Sequence, residues 1–170
     1  MATTGEASPD TFVITRVFNA PRQRVWDAWT KPEQFGKWFG PKGVTATVKT
    51  HDLRPGGILH SSLASPDGRT MWAKFVYREV SAPSRLVWVH SFSDEHANVT
   101  RAPFFDGNWP LELLTTVTFA DDGAGTRVTL TWTPLNATDI ERQTFAANMP
   151  SMNQGWTGSF EELDAFLTGG

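Results

Sequence analysis

The C-terminal third of the chain carries the clearest hydrophobic pattern. Its apolar residues recur at steps of three or four, namely at Met149, Met152, Trp156, Phe160, Leu163 and Leu167. This spacing is typical of one apolar stripe on an α-helix, so it predicts a long C-terminal helix. Pro150 near its start either kinks this helix or begins it. Gly155 and Gly158 each lower the stability of a helix interior by about 1 kcal/mol relative to Ala. Their presence indicates either close packing against the sheet or room for a ligand beside the helix.

The preceding sequence alternates apolar and polar residues over short stretches, which predicts an antiparallel sheet. The predicted strands cover residues 12–18, 44–49, 58–64, 71–80, 85–92, 113–119 and 127–133. Segments 66–68 and 121–125 are rich in Asp and Gly and are typical of hairpin turns. In the last strand Val128, Leu130 and Trp132 alternate with polar residues, so one face of the sheet is apolar and needs cover.

Two short helices are predicted between the first two strands. Residues 22–29 form the first, and the spacing of Thr30 and Glu33 predicts a capping box at the start of the second. Thr138 and Glu141 have the same spacing before the C-terminal region. The order is therefore strand, two short helices, six strands and a long helix.

One long segment, residues 93–110, does not follow the hairpin pattern. It contains Phe104, Phe105 and Trp109, which are costly to leave in water. Loops of this length inside a compact domain are usually functional or disordered. We interpret the segment as a lid or a dimer contact, with a mobile insertion as the alternative.

Composition narrows the class of protein. The chain has 170 residues, of which 39% are hydrophobic and 19% charged, and these values favour a single globular domain with a core over about residues 12–167 and a flexible tail at 1–10. The net charge of −3 disfavours a nucleic-acid surface, and the absence of cysteine excludes thiolate catalysis and disulfides. No segment is typical of a signal peptide or a membrane span, so a cytoplasmic location is expected.

No catalytic or metal-binding constellation stands out, and we predict no metal and no cofactor. The histidines show neither an HxH nor an HExxH pattern. His90 shares a predicted strand face with Leu86 and Trp88, so it is either a hydrogen-bonded core residue or the polar tip of an apolar pocket. Tyr77 is the second candidate for such a tip, and a structural hydrogen bond is the alternative.

Several segments, in this order and spacing, resemble the family named after the activator of the heat-shock-protein-90 ATPase. They are Asn-Ala-Pro at 19–21, Val-Trp-Asp-Ala-Trp-Thr at 25–30, Trp-Phe-Gly-Pro at 38–41, Asp-Leu-Arg-Pro-Gly-Gly at 52–57, Pro-Asp-Gly at 66–68, Gly-Thr-Arg-Val-Thr-Leu at 125–130 and Gly-Trp at 155–156. The resemblance implies the α+β helix-grip fold of START-like proteins, in which a curved antiparallel sheet of about seven strands wraps a C-terminal helix. It also implies a cavity that takes an apolar or amphipathic small molecule.

We therefore hypothesise a ligand-binding protein whose cavity lies between the sheet and the last helix. The expected lining residues are Trp38, Phe39, Leu59, Phe75, Tyr77, Trp88, His90, Trp132, Met149, Met152 and Trp156. Two alternatives stay open. One is a stress-related accessory protein that acts through its surface, with a homodimer among its forms. The other is an enzyme of the cyclase or hydrolase kind.

Overall fold

The computed structural model describes residues 11–40 and 43–169, so the predicted tail at 1–10 lies outside the described residues. The strands are β1 Phe12–Phe18, β2 Thr45–His51, β3 Ile58–Ala64, β4 Thr70–Ser81, β5 Arg85–Ser93, β6 Val99–Thr100, β7 Glu112–Asp122 and β8 Gly125–Leu135. The helices are α1 Arg22–Thr30, α2 Pro32–Phe35, α3 Asp139–Ala147 and α4 Met149–Gly169.

The strands form one curved antiparallel sheet in the order β1-β8-β7-β5-β4-β3-β2, and the short β6 pairs with β5. Helix α4 packs along the apolar face of this sheet, and its residues Trp156, Phe160 and Leu163 join the buried core. This is the predicted α+β helix-grip architecture. Its core is dense in aromatic rings, because Trp29 of α1 lies 4.7 Å from Trp38 and 6.1 Å from Trp88 between ring centroids.

Pro150 begins a helix and does not kink one. Helix α3 ends at Ala147, and α4 starts two residues later at Met149, so Pro150 is the second residue of α4. A proline is tolerated in the first turn, where its missing N–H has no intrahelical partner to lose.

The predicted capping box at Thr138 is present, and the one predicted at Thr30 is wrong. The Thr138 hydroxyl accepts a hydrogen bond from the Glu141 N–H at 3.2 Å, and Glu141 Oε1 accepts one from the Thr138 N–H at 2.9 Å. Thr30 does not cap α2, because it is the last residue of α1 and its hydroxyl donates to the Trp26 carbonyl at 2.8 Å. Lys31 is the residue that precedes α2.

The long segment between β5 and β7 packs against α3. It contains β6 and a short 3₁₀ turn over Phe105–Gly107. Trp109 is buried, and its ring centroid lies 5.5 Å from that of Phe145 in α3. Arg101 adds a polar attachment, since it donates to the Trp109 carbonyl at 3.3 Å and pairs with the carboxylate of Glu141. The segment is therefore fastened to α3 from within the same chain.

No helix in the described ranges is long and apolar enough to cross a membrane.

Candidate ligand-binding cavity

A cavity of about 380 Å³ lies between the sheet, the first half of α4 and the segment at 102–110. Its floor comes from the ends of five strands and its sides from α4 and the long segment. The lining residues are Phe39, Gly40, Leu63, Met71, Trp72, Ala73, His90, Ser91, Phe92, Phe104, Phe105, Trp109, Pro110, Leu113, Trp132, Asn148, Ser151, Met152, Gly155, Trp156 and Ser159. Ligand pockets commonly measure about 300–1,000 Å³, so the cavity is large enough for a small organic molecule.

The cavity wall is apolar and uncharged. Eight of the lining side chains are Phe or Trp, and no Asp, Glu, Lys or Arg lines it within the described ranges. The Ser159 hydroxyl is occupied by the carbonyl of Gly40 at 2.8 Å, and the Asn148 amide donates to the Thr144 carbonyl at 2.7 Å. These two polar groups of the lining are thus used by the fold itself.

His90 is the titratable side chain in this wall. It lies on β5, opposite Phe75 of β4 and Leu113 of β7, and its ring centroid lies 4.6 Å from Phe75 and 5.2 Å from Trp132. Burial lowers the pKa of His90 from 6.5 to about 3, because an imidazolium would lose its hydration without gaining a countercharge. The imidazole is therefore neutral at physiological pH.

Two ring nitrogens at this point are not used by the fold. His90 Nδ1 and Trp132 Nε1 are both buried, and neither finds a hydrogen-bond partner in the described part of the chain. Buried polar atoms usually have a partner, but Trp29 Nε1 and Trp88 Nε1 in the core also lack one within the described residues, so this feature is not confined to the cavity. The two rings meet edge to face at 85°, and both residues border the cavity.

Gly155 explains part of the available space. A Cβ atom built on Gly155 would meet no atom of the described chain within 4 Å. The sequence left open whether the glycines of α4 serve close packing or leave room for a ligand. At Gly155 there is no packing reason, and the residue borders the cavity.

Comparison with known proteins identifies the family. The family described as "Activator of Hsp90 ATPase homolog 1-like protein" matches residues 19–168. The chain belongs to this family.

Solved structures agree with this assignment. The crystal structure of a protein from Mycobacterium smegmatis is 29% identical, with 99% of this chain and 96% of that chain covered and a TM-score of 0.76. A solution structure of a protein from Arthrobacter aurescens is 28% identical, with 97% and 91% covered and a TM-score of 0.80. The AHSA1 protein from Silicibacter pomeroyi shares the fold, at 17% identity and a TM-score of 0.66 over 91% of this chain and 95% of that chain. A comparison with curated proteins found no match.

In this member of the activator-like family, five of the eleven predicted lining residues border the cavity. They are Phe39, His90, Trp132, Met152 and Trp156. The role of these five in ligand binding stays a prediction.

The other six predicted residues do not border this cavity. Leu59, Phe75, Tyr77 and Trp88 are buried in the core. Trp88 lies 6.1 Å from Trp29 of α1 and Phe75 lies 5.9 Å from Phe35 of α2, between ring centroids. Phe75 stacks on Trp88 at 4.6 Å. Trp38 is held in the core by a hydrogen bond from its Nε1 to the Ala28 carbonyl at 2.9 Å. Met149 packs against the core from the start of α4.

Tyr77 does not join His90 in the cavity. It lies opposite Trp88 in the strand pair, and the edge of its ring faces His51 at 6.2 Å. Burial raises the pKa of Tyr77, so its phenol stays protonated and neutral at physiological pH and far above it. The two candidate polar tips are thus separated, with Tyr77 in the core and His90 at the cavity.

The lining residues that come from the long segment and from β3 and β4 were not predicted from the sequence. Phe104, Phe105 and Trp109 border the cavity, and so do Met71 and Trp72. The signal for the first three was present, since a loop with three large rings needs a surface to cover. Which surface they cover depends on the path of the loop, which no periodicity encodes.

The cavity offers no metal site. Among residues 11–40 and 43–169, no three His, Asp or Glu side chains converge closely enough to hold an ion.

Proposed function

We propose that this protein binds an apolar or amphipathic small molecule in the cavity between the sheet and α4. The observation that carries this proposal is the 380 Å³ cavity with its wall of aromatic side chains. Affinity would come from burial of apolar surface, at about 25 cal/mol per Å² before the losses of association. The fold of the activator-like family supports this assignment, because START-like folds commonly enclose such ligands.

A matched pair of variants tests the proposal with a neutral fluorescent probe, N-phenyl-1-naphthylamine. Leu63 borders the cavity and is half-buried, so Leu63→Trp fills part of the space. Val13 lies on β1, is 44% exposed and does not border the cavity, so Val13→Trp is the control. We expect saturable binding of one probe molecule, a loss of at least about tenfold in affinity for Leu63→Trp, and no change for Val13→Trp.

Equal affinity of both variants and the parent protein would place the probe elsewhere and overturn the proposal. Native mass spectrometry of protein purified from its host provides an independent check. A co-purifying small molecule that is lost in Leu63→Trp supports the cavity as its site.

The alternative of an accessory protein that acts through its surface predicts that the rings of the long segment contact another subunit or stay exposed. Trp109 is instead buried against α3 of its own chain, whereas Phe104 and Phe105 are 40% and 37% exposed. Size-exclusion chromatography with light scattering on the parent and on a Phe104→Ser variant separates the two ideas. A dimer that dissociates in the variant would favour the surface function.

A further inference from the structure

We propose that the cavity selects uncharged ligands that carry one hydrogen-bonding group directed at His90, and that it rejects carboxylates, sulfonates and ammonium groups of the same shape. This inference rests on the proposed function and specifies the chemistry of its ligand.

The first step concerns charge. Fatty acids and other amphipathic anions are held in apolar cavities when a Lys or Arg side chain neutralises them. The lining residues of the described chain contain neither, and they contain no Asp or Glu for an ammonium group. A charge that leaves water for such a wall loses its hydration without compensation. A charged ligand of the same size is therefore disfavoured.

The second step concerns His90, which could in principle supply a positive charge. Its ring packs against Phe75 and Trp132, and Leu113 is its partner on the neighbouring strand. Burial keeps the pKa of this histidine well below neutrality, with no carboxylate acting on it to raise the value. It therefore cannot serve as the cation for an anionic ligand.

The third step concerns the hydrogen bond. A neutral imidazole donates from one ring nitrogen and accepts at the other, so it can serve a carbonyl or a hydroxyl group equally. His90 Nδ1 and Trp132 Nε1 both lack a partner in the part of the chain that the structure describes. His90 borders the cavity, so a carbonyl or hydroxyl group of a ligand gains a hydrogen bond when the imidazole turns a ring nitrogen towards it.

Three naphthalenes of nearly the same shape test the proposal. 2-Acetylnaphthalene is neutral and accepts a hydrogen bond, 2-ethylnaphthalene is neutral and does not, and 2-naphthoate is an anion. Their affinities are measured by displacement of N-phenyl-1-naphthylamine. We expect 2-acetylnaphthalene to bind at least about tenfold more tightly than 2-naphthoate. We expect it to bind about three- to tenfold more tightly than 2-ethylnaphthalene.

Variants at an exposed position of the rim test the charge argument without disturbing the core. Ser151 borders the cavity from the exposed first turn of α4, so its substitution is compatible with folding. Ser151→Lys supplies the missing cation and should raise the affinity for 2-naphthoate by about tenfold, with little effect on 2-acetylnaphthalene. Ser151→Gln adds length without charge, so the comparison of Ser151→Lys with Ser151→Gln isolates the effect of the charge.

His90→Phe tests the hydrogen bond. It keeps an aromatic ring in the wall and should remove the preference of 2-acetylnaphthalene over 2-ethylnaphthalene, which is read as the ratio of the two affinities. A preference that survives in His90→Phe overturns the role of this histidine. Tight binding of 2-naphthoate to the parent protein overturns the charge selection.

These failures differ from failure of the proposed function. If none of the naphthalenes displaces the probe and the probe itself does not bind, the cavity is no ligand site at all. If all three bind alike and Leu63→Trp weakens all of them, the cavity binds ligands but does not select them by charge.

Discussion

His90 makes the stability of the protein sensitive to mild acid, and this can be tested without knowing the ligand. In the folded protein the pKa of His90 is lowered from 6.5 to about 3 by burial. In the unfolded chain the imidazole is in water and has its ordinary pKa. Between these two values the unfolded state binds a proton that the folded state does not, so acid favours unfolding.

The magnitude follows from the two pKa values. The free energy of unfolding is unaffected by His90 well above pH 6.5 and falls as the pH drops below it, with a limiting slope of about 1.4 kcal/mol per pH unit. Between pH 7 and pH 5 the contribution of His90 is a loss of about 2 kcal/mol. The loss would level off only near pH 3, where the folded protein also begins to bind the proton. Removal of the imidazole should abolish this contribution.

Urea unfolding followed by tryptophan fluorescence at pH 7, 6 and 5 measures the effect. The comparison is between the parent protein and His90→Phe, because the difference between their pH profiles removes the contributions of all other groups. His96 lies on an exposed loop, and His96→Gln is the matched control that should keep the parent profile. If His90→Phe loses as much stability as the parent between pH 7 and pH 5, the imidazole is not buried in its neutral form and the reasoning is refuted.

Three further substitutions test individual parts of the fold. Gly155→Ala should raise the free energy of unfolding by about 1 kcal/mol, because alanine favours the helix interior and the new Cβ meets no described atom within 4 Å; a lower melting temperature would contradict this. Thr138→Ala should cost about 1 kcal/mol, since it removes the hydroxyl that caps the Glu141 N–H, and urea denaturation would detect it. Trp109→Ala should cost about 3 kcal/mol or more by opening a void against Phe145. It should also increase amide hydrogen exchange across the long segment, and unchanged exchange would show that Trp109 does not hold the segment.

The features that follow from local periodicity could be predicted from the sequence. The stripe from Met152 to Leu167 is the buried face of α4, and the capping box at Thr138 begins α3 as its spacing predicts. The capping box at Thr30 was wrong because the pattern alone does not reveal which helix a residue belongs to. Thr30 ends α1, and the hydroxyl that would cap α2 is already bonded within α1.

The position of the cavity was harder to predict because it depends on which rings fill the space under the sheet. Strand alternation correctly places Leu59, Phe75, Trp88 and His90 on the inner face, but it does not say how far α1 and α2 extend over that face. In the structure Trp29 and its neighbours fill one end completely. The cavity is displaced towards the other end, where His90 is the first inward residue of β5 beyond the filled region.

The distribution of large and small residues explains why one end is filled and the other is open. At the filled end, Trp29 of α1 lies 6.1 Å from Trp88 of β5, and Phe35 of α2 lies 5.9 Å from Phe75 of β4, between ring centroids. At the open end, Gly155 and Ala73 line the cavity, and the wall is completed by a loop whose Phe104 contacts Phe92 of β5 and whose Trp109 contacts Phe145 of α3. Gly155 lowers the helix propensity of α4 at a position where no contact with the described chain requires a glycine. Gly155 therefore makes α4 less stable than an alanine would, and it borders an apolar space beside two unpartnered ring nitrogens. This is the expected result when a fold keeps room for a ligand at the expense of its own stability.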